Sequence, residues 1–291
     1  MLSAIFLALA GAAFLVAVAA RFDPERPPSE PTFGALRTAE RGVWFARPAG
    51  RAIFALIPFG VFVGLAVALG LLRANVFVLL GGLAASMAGR GLLSTQPVEE
   101  TWPPPWRPPV AESHPRRGFA ATAAPWFVVL AWCVMAAALR FRTLDLGEVL
   151  AAQAVLGPSP LIGPPLKIAA TVIVGLVGLA AAAAWVQGLP PLSGSAEREA
   201  LDRVLRWGET ALATAAVTAT VWGPSLGAVT WGRVDANVMA SVAASFGLTA
   251  AGVAAVSALR SRVARLPESG SGAMLLTLAL LAGGSVLGAS L

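Results

Sequence analysis

The feature that most limits the fold of this chain is the recurrence of apolar stretches close to twenty residues long. A helix that crosses the hydrocarbon core of a bilayer needs about 20 such residues. Because lipid cannot hydrogen-bond to exposed backbone groups, each stretch is expected to be a helix. The sequence therefore predicts an all-α fold, a polytopic integral membrane bundle that forms a single domain over residues 1–291. About eight transmembrane helices are predicted, at residues 1–20, 51–72, 74–93, 119–139, 165–187, 208–229, 236–259 and 271–291.

The composition supports a membrane protein and restricts the chemistry of the chain. Hydrophobic residues make up 57% of the 291 residues and charged residues only 12%, whereas soluble domains have about 25% charged residues. The single cysteine, Cys133, excludes a disulfide framework and a multi-cysteine iron–sulfur or zinc site within this chain. The single histidine, His114, cannot form a haem-ligand pair. We therefore expect no catalytic, cofactor-binding or metal-binding residue in this chain.

The basic residues predict the orientation of the bundle. Of the 21 lysines and arginines, 16 belong to the loops that follow the first, third, fifth and seventh stretches, when Arg51 and Arg90 at the adjoining ends of two stretches are counted with them. By the positive-inside rule these loops are cytoplasmic, and both termini then face the outside. This distribution also accounts for the net charge of +6 without nucleic-acid binding. The arginine and alanine bias is typical of a GC-rich prokaryote, so the predicted location is a prokaryotic cytoplasmic (inner) membrane.

Residues 1–20 are interpreted as a first helix and not as a cleaved signal peptide. A secretory signal has basic residues before its apolar stretch. Here Arg21 and Arg26 follow the stretch instead.

The first two predicted cytoplasmic loops suit contacts with lipid or with a partner. In loop 21–50, apolar residues recur at helical spacing opposite Arg37, Glu40 and Arg41. This pattern is typical of a short amphipathic helix at the membrane surface. Loop 94–118 has seven prolines and would hold Trp102 and Trp106 on an extended frame. The second loop could dock a neighbouring protein or remain solvated with its tryptophans in lipid.

The third cytoplasmic loop, 189–207, contains a charged helix. Ser195 is a natural N-cap, acidic residues follow it, and arginines end the segment. Glu199 and Arg203, like Asp202 and Arg206, have the i,i+4 spacing of helix ion pairs. The segment is predicted to be a self-sufficient surface helix, followed by Glu209 in the first turn of the sixth span.

Two further segments predict local structure. Residues 140–153, RFRTLDLGEVLAAQ, predict a short helix on the outer side, with Asp145 and Glu148 exposed. The small residues Gly60 and Gly64 predict close helix packing inside the bundle.

Placed in this order, the segments resemble a family of membrane anchors found in respiratory complex I and in membrane-bound (group 4) nickel–iron hydrogenases, beneath the hydrophilic redox arm. This anchor family has eight helices and an amphipathic segment after the first, as in FGALRTAERGVWFARPAGRAIFALIPFG. Motifs akin to LRFRTLDLGEVLAAQ and ALRSRVARLP follow its fourth helix and precede its last. Its pattern E-T-N-R-x-P-F-D-L-P-E-A-E-x-E aligns without gaps with WVQGLPPLSGSAERE, which keeps Pro190, Ala196, Glu197 and Glu199.

Most of the anchor family's acidic positions are not acidic here. Its leading glutamate falls on Trp185, its aspartate on Leu192, a further glutamate on Ser195, and the glutamate of its fourth helix on Trp126. In the family these acids contribute to the quinone cavity and the proton route. The resemblance therefore implies a divergent member in which quinone binding is doubtful and a complete proton path is not expected. Glu209 is then the candidate proton-transfer residue. Its simpler interpretation is a negative charge at the N-terminal end of a helix, near the cytoplasmic face, where it complements the helix dipole.

The resemblance implies a non-catalytic anchor subunit of an ion-translocating oxidoreductase complex. Such a subunit would dock a soluble redox module, which carries the iron–sulfur or nickel–iron centres, onto antiporter-like membrane subunits. Two alternatives stay open: a stand-alone small-solute transporter, and a structural scaffold of an unrelated membrane complex. The candidate partner-docking residues are charged or aromatic and lie in the three cytoplasmic loops: Arg37, Glu40, Arg41, Trp102, Trp106, Glu197, Arg198 and Glu199.

Overall fold

The computed structural model describes residues 2–25, 37, 48–94, 123–156, 165–192, 196–223, 226, 229 and 235–263. This part of the chain is all-helical and has no strand. Its helices are α1 (Leu2–Arg21), α2 (Pro48–Ala68), α3 (Val76–Ser94), α4 (Ala124–Leu139), α5 (Leu146–Leu156), α6 (Pro165–Gly188), α7 (Ala196–Trp222) and α8 (Ala236–Val263).

The helices confirm an all-α membrane-type fold. Three contain segments that are long and apolar enough to cross a bilayer, namely Val76–Leu93 in α3, Thr171–Gly188 in α6 and Ala236–Arg260 in α8. The apolar parts of α1, α2 and α4 are shorter. The predicted span 271–291 and the loop 94–118 beyond α3 lie outside the described residues, as does the amphipathic segment 36–43 except for Arg37.

Helix α7 lies at the centre of the bundle and contacts each of the other helices named above. Every residue from Leu205 to Val221 is buried. Small alanines on several sides of α7, among them Ala211, Ala213 and Ala216, are fully buried. Their size allows neighbouring backbones to approach on all sides, which is how helices pack in membranes.

The threonines of α7 explain how a partly polar helix can be central. The hydroxyls of Thr210, Thr218 and Thr220 donate to the carbonyls of Arg206, Thr214 and Ala216, four residues back, at 2.6, 3.0 and 2.9 Å. Each hydroxyl therefore finds a partner inside its own helix and does not need water. These threonines lower the hydropathy of α7, but they add little to the free-energy cost of burying the helix because their hydroxyls are hydrogen-bonded.

Helices α2 and α3 approach each other at two facing glycines. A Cβ atom added to Gly82 would lie 2.8 Å from the carbonyl oxygen of Gly60, which is too close for any other residue type. One turn later, a Cβ atom added to Gly64 would lie 2.6 Å from Leu212 of α7. The predicted packing role of Gly60 and Gly64 is confirmed: the Gly60 backbone lies against Gly82 of α3, and the missing side chain of Gly64 leaves room for Leu212 of α7.

The connection between α2 and α3 pairs with the connection between α4 and α5. The Val76 N–H donates to the Leu144 carbonyl at 2.8 Å, and the Leu146 N–H donates to the Ala74 carbonyl at 3.0 Å. Asp145 caps α5 by accepting from the Gly147 N–H at 2.7 Å. We call this side of the bundle the turn end. The short helix predicted within 140–153 is confirmed as α5, with Asp145 and Glu148 exposed.

The opposite side of the bundle gathers the buried charges. Here the C-terminal ends of α1, α3, α6 and α8 meet the N-terminal half of α7. We call this side the charged end.

Candidate functional site

A buried charge cluster at the charged end is the most polar feature of the described bundle interior. Its members are Ser86 and Arg90 of α3 with Asp202, Arg206 and Glu209 of α7. Arg90 and Glu209 are both 0% exposed. Ionised groups taken out of water are costly unless they are paired and hydrogen-bonded, so the geometry of the pairs decides whether the cluster is stable.

Arg90 joins the two acidic residues. Its Nε atom donates to Glu209 Oε1 at 2.6 Å, and its Nη1 atom donates to Asp202 Oδ1. The same guanidinium donates to the backbone carbonyls of Pro190 and Asp202, both at 3.2 Å. Only arginine presents enough fixed donors for this arrangement, because lysine has a single ammonium group. Arg90 therefore ties α3 to α7 and to the segment that leads into α7.

Arg206 closes the C-terminal end of α6. Its Nη1 and Nη2 atoms donate to the carbonyls of Val186 and Leu189 at 2.8 and 2.9 Å, while its Nε atom donates to Asp202 Oδ2 at 2.8 Å. The last carbonyls of a helix have no partners within it and carry partial negative charge. A buried guanidinium is therefore a favourable C-terminal cap, and it fixes how α6 turns into α7.

Asp202 accepts from both arginines and from the backbone. Its Oδ1 atom accepts the Leu192 N–H at 3.2 Å in addition to the contact with Arg90. Burial alone would raise the pKa of Asp202, but Arg90 and Arg206 outweigh burial and hold its pKa below the usual range. Asp202 thus remains ionised at neutral pH. The predicted i,i+4 pairing of Asp202 with Arg206 is confirmed.

Glu209 lies deep inside the bundle. Its Oε1 atom accepts from Arg90 and from the Ser86 hydroxyl, and its Oε2 atom is buried without a hydrogen-bond partner in the protein. Ser86 is near the middle of the apolar segment Val76–Leu93 of α3. A carboxylate at this depth is a functional candidate by default, since such groups are rare in apolar spans.

A second cluster, which we call the α8 cluster, joins α8 to α1, α6 and α7. The Arg260 guanidinium lies 3.5 Å from Asp23 Oδ1 and 3.3 Å from Glu25 Oε2, and it donates to Gln187 at 3.4 Å. The indole N–H of Trp207 donates to Asp23 Oδ2 at 2.6 Å. Arg260 is 1% exposed. The two clusters flank α7 and attach it to four neighbouring helices.

The structure corrects three expectations about the stretch 189–209. The charged segment is not a separate surface helix, because α7 runs unbroken from Ala196 to Trp222. Glu209 is therefore midway along a helix and buried, and not in a first turn. Arg206 is buried against the end of α6 and does not form a last turn in solvent. Burial is possible because these side chains are paired: Glu209 with Arg90 of α3, and Arg206 with Asp202 and with the last carbonyls of α6.

Two arginines assigned to cytoplasmic loops also differ from expectation. Arg90 and Arg260 are buried inside α3 and α8 and form ion pairs there. Their charge is matched by acids from other helices, so they are structural cations of the bundle.

The predicted docking residues have varied positions. Glu199 of α7 and Arg37 are exposed, and Arg198 is half-buried. Glu197 lies in α7, but its side chain is not described. Glu40, Arg41, Trp102, Trp106 and the predicted N-cap Ser195 lie outside the described residues. The structure thus brings none of the docking candidates into the charge cluster.

Sequence reasoning missed most of the charge cluster, although a signal was present. Ser86 and Arg90 interrupt an otherwise apolar stretch with i,i+4 spacing, and Asp202, Arg206 and Glu209 recur at helical spacing along α7. Two polar faces of this kind on predicted membrane helices indicate a contact between those helices.

Among the described residues, no group of three or more histidine, cysteine, aspartate or glutamate side chains is arranged to hold a metal ion. Three residues that align with the anchor family's acids are buried in hydrophobic clusters of the bundle: Trp126, Trp185 and Leu192. No protein-family model matches the chain, and no curated protein matches its sequence.

Proposed function

We propose that the chain is a multi-pass anchor subunit, with about eight spans and both termini outside, in a prokaryotic cytoplasmic membrane. It docks a soluble redox module onto ion-translocating, antiporter-like subunits of a complex I-like or group 4 hydrogenase-like assembly. The chain itself contributes no redox cofactor. The iron–sulfur or nickel–iron centres belong to its partners.

The observation that carries this proposal is the attachment of residues 186–190, where the chain leaves α6, by Arg90 and Arg206. These residues belong to the segment WVQGLPPLSGSAERE, on which the resemblance to the anchor family rests. The two arginines bind the carbonyls of Val186, Leu189 and Pro190 from inside the bundle. A docking surface benefits from such support, because a surface that is already ordered loses less conformational entropy on binding.

Charge on the outer side of the same helix supplies the means of docking. At the start of α7, Glu199 is exposed and Arg203, one turn later on the same face, is half-buried, whereas Ala200 and Leu201 are buried. The first two turns of α7 therefore have one face packed on the bundle and another open to a partner. Charged groups at the rim of an interface determine partner choice and association rate more than affinity.

Co-purification from native membranes tests the proposal. Tagged chain is isolated in mild detergent, and the proteins bound to it are quantified by mass spectrometry. We expect soluble iron–sulfur or hydrogenase-like subunits together with antiporter-like membrane subunits. A chain recovered alone contradicts the proposal, and a complex without redox subunits favours the scaffold alternative.

A pair of charge reversals locates the docking surface. Glu199→Lys at the charged end is expected to reduce recovery of the soluble module roughly tenfold, which corresponds to a loss of about 1.4 kcal/mol at one charged contact. Glu148→Lys is the matched control, since Glu148 is an exposed glutamate at the turn end. Equal recovery with both variants would place the docking surface elsewhere.

The polar interior of α7 favours a small-solute transporter as a second candidate. A transporter needs polar groups near the bilayer midplane. Glu209, Ser86 and the threonines of α7 are polar groups buried inside the bundle, and they are the candidates for such a pathway. Flux of ions or small solutes into liposomes that contain only the purified chain would support this candidate. Glu209→Gln should then reduce the flux, while Glu148→Lys should not.

A proton-transfer role of Glu209 is testable within the assembly. If Glu209 transfers protons, Glu209→Gln uncouples ion translocation while partner recovery stays normal. If its role is to pair with Arg90, the same variant lowers stability and leaves the coupling of folded complexes intact.

A further inference from the structure

Helix α8 is the least buried of the three helices with a segment that can cross a bilayer. In its segment Ala236–Arg260, 33% of the residues are buried, compared with 44% in Val76–Leu93 of α3 and 61% in Thr171–Gly188 of α6. One side of α8 packs against α1, α6 and α7. The other side has exposed residues from Ala240 to Leu259. The described helices therefore leave a long apolar face of α8 uncovered.

The centre of this exposed face consists of small residues. With about 100° of rotation per residue, five exposed alanines fall within about 60° of one another, and we call them the alanine face: Ala240, Ala244, Ala251, Ala255 and Ala258. The exposed surfaces of α1 and α2 carry aromatic side chains such as Phe6, Phe14 and Phe59, whereas none of the exposed positions described in α8 is aromatic. Small residues are enriched where membrane helices pack, because they allow backbones to approach closely. The alanine face therefore has the composition of a helix contact.

An apolar segment follows α8 directly in the sequence. Helix α8 ends at Val263, and the predicted span 271–291 begins after only seven residues, 264–270. Helix connections of this length typically join antiparallel neighbours. So short a tether also keeps the segment near α8 at a roughly millimolar effective concentration. Segment 271–291 is therefore the first candidate to cover the alanine face.

The spacing of small residues in segment 271–291 matches that of the alanine face. If two antiparallel helices turn about residue 267, the middle of the connection, each position on α8 faces the position equally far beyond residue 267. The alanines at 244, 251 and 255 have spacings of seven and four residues. Small residues with the same spacings in reverse order occupy the facing positions, which gives three pairs: Ala255 with Ala279, Ala251 with Gly283 and Ala244 with Ser290. Small residues on both sides allow the two backbones to approach closely.

We propose that the alanine face of α8 is the packing site of segment 271–291, which crosses the membrane antiparallel to α8. A second copy of this chain could occupy the same face, but it lacks the tether that holds segment 271–291 beside α8. The inference uses the predicted last span and does not rest on the proposed docking function, which partner recovery tests separately.

Disulfide cross-linking of the full chain in native membranes tests the proposal. The variants carry Cys133→Ala, so that the two introduced cysteines are the only thiols of the chain. Ala251→Cys is combined with Gly283→Cys, a pair that the proposed register places face to face. A disulfide forms readily only when the two Cα atoms are about 4.4–6.8 Å apart. After mild oxidation, the cross-linked peptides in the monomer band are quantified by mass spectrometry.

Two controls each change one member of the pair. Leu281→Cys replaces Gly283→Cys, because two residues along a helix correspond to about 200° of rotation. Leu176→Cys replaces Ala251→Cys, because Leu176 is an exposed residue of α6 at a similar depth: Leu179, one turn further along α6, lies near Gly252. We expect the yield of the Ala251 and Gly283 pair to exceed that of both controls roughly tenfold or more.

A second pair, Ala255→Cys with Ala279→Cys, keeps the test from depending on one variant. A high yield within the monomer for either pair, with low yields for the controls, supports the proposal. Yields of both pairs no higher than those of the controls would overturn it. Ala251→Cys alone should give no cross-linked dimer, and a dimer at this position would overturn the proposal in favour of a second copy of the chain.

Discussion

The two sides of α7 bury polar groups in different ways. Toward α3 and α6, its acids and arginines form ion pairs and hydrogen bonds with groups on other helices. Toward α8, its threonines are neutral, and most find partners within α7 itself. The charged side therefore depends on charged partners from its neighbours and specifies which helices meet, whereas the hydroxyl side needs no charged partner. Substitutions on the two sides should differ accordingly.

The largest effect is expected from Arg90→Met on the charged side. The variant leaves Asp202 short of one cation and leaves buried Glu209 with no cation among its contacts. Removing one partner of a buried ion pair typically costs about 3–5 kcal/mol, because an uncompensated charge remains. The free energy of unfolding, followed by tryptophan fluorescence in mixed detergent micelles, should fall by this amount.

The matched control for this variant is Arg73→Met, since Arg73 is exposed at the turn end. A surface substitution of this kind is expected to stay within about 0.5 kcal/mol of the wild type. If both variants lost a similar amount of unfolding free energy, the buried ion pairs of Arg90 would contribute no more to stability than an exposed arginine.

A moderate effect is expected from Gly252→Ala on the hydroxyl side. Its new methyl group would lie 2.9 Å from Thr214 Cγ2, so α7 and α8 must separate slightly. Overpacking of this type costs about 1–3 kcal/mol. Gly247→Ala on the same helix, where there is open space, should be neutral or slightly stabilising. Equal stabilities of the two alanine variants would contradict the close approach.

A smaller effect is expected from removing the hydroxyl contact between α7 and α8. Thr218→Val loses the hydrogen bond to Thr249. Such contacts between membrane helices contribute about 0.6 kcal/mol on average. A double-mutant cycle with Thr249→Val in the same unfolding assay should return a coupling energy of this size. A coupling above about 2 kcal/mol would make the hydroxyl side as demanding as the charged side.

The smallest effect is expected from pH in the neutral range. The pKa of Asp202 is lowered in the folded chain, so the unfolded chain takes up protons first as the pH falls. Stability from this group is then complete above about pH 4 and is lost below it. Unfolding midpoints should be constant between about pH 8 and 5 and should fall as the pH is lowered below about 4. Asp202→Asn should remove part of this acidic loss of stability. If the wild type instead loses stability between about pH 5 and 8 and Asp202→Asn does not, the lowered pKa of Asp202 is contradicted.

Much of the helix arrangement was predictable from the sequence. Apolar stretches close to twenty residues predicted the helices α1 to α4, α6 and α8, and the pattern around Asp145 predicted α5. Hydrophobicity is a local property, so the sequence reports it directly. The predicted contact glycines Gly60 and Gly64 were also correct, because small residues limit how helices can pack.

The charge cluster could not be predicted by reading each segment alone. Asp202 and Arg206 have the pattern of a solvated helix face. That face can be buried only because Arg90 of α3 and the C-terminal end of α6 provide partners for it. The partners are more than a hundred residues apart for Arg90 with Asp202 and with Glu209. The polar faces of α3 and α7 indicate that these helices meet, but which side chains pair at that separation depends on the tertiary arrangement.

That separation along the chain has a consequence for how the protein is made. The ribosome completes α3, including Arg90, more than a hundred residues before Glu209 is synthesised. At ordinary elongation rates the delay is on the order of ten seconds. During it, the acids that pair with Arg90 in the folded chain do not yet exist, and a long cationic side chain near a helix end can reach toward the lipid headgroups instead. The contact between α3 and α7 can therefore form only after α7 has been made, which couples the placement of α3 to a much later part of synthesis.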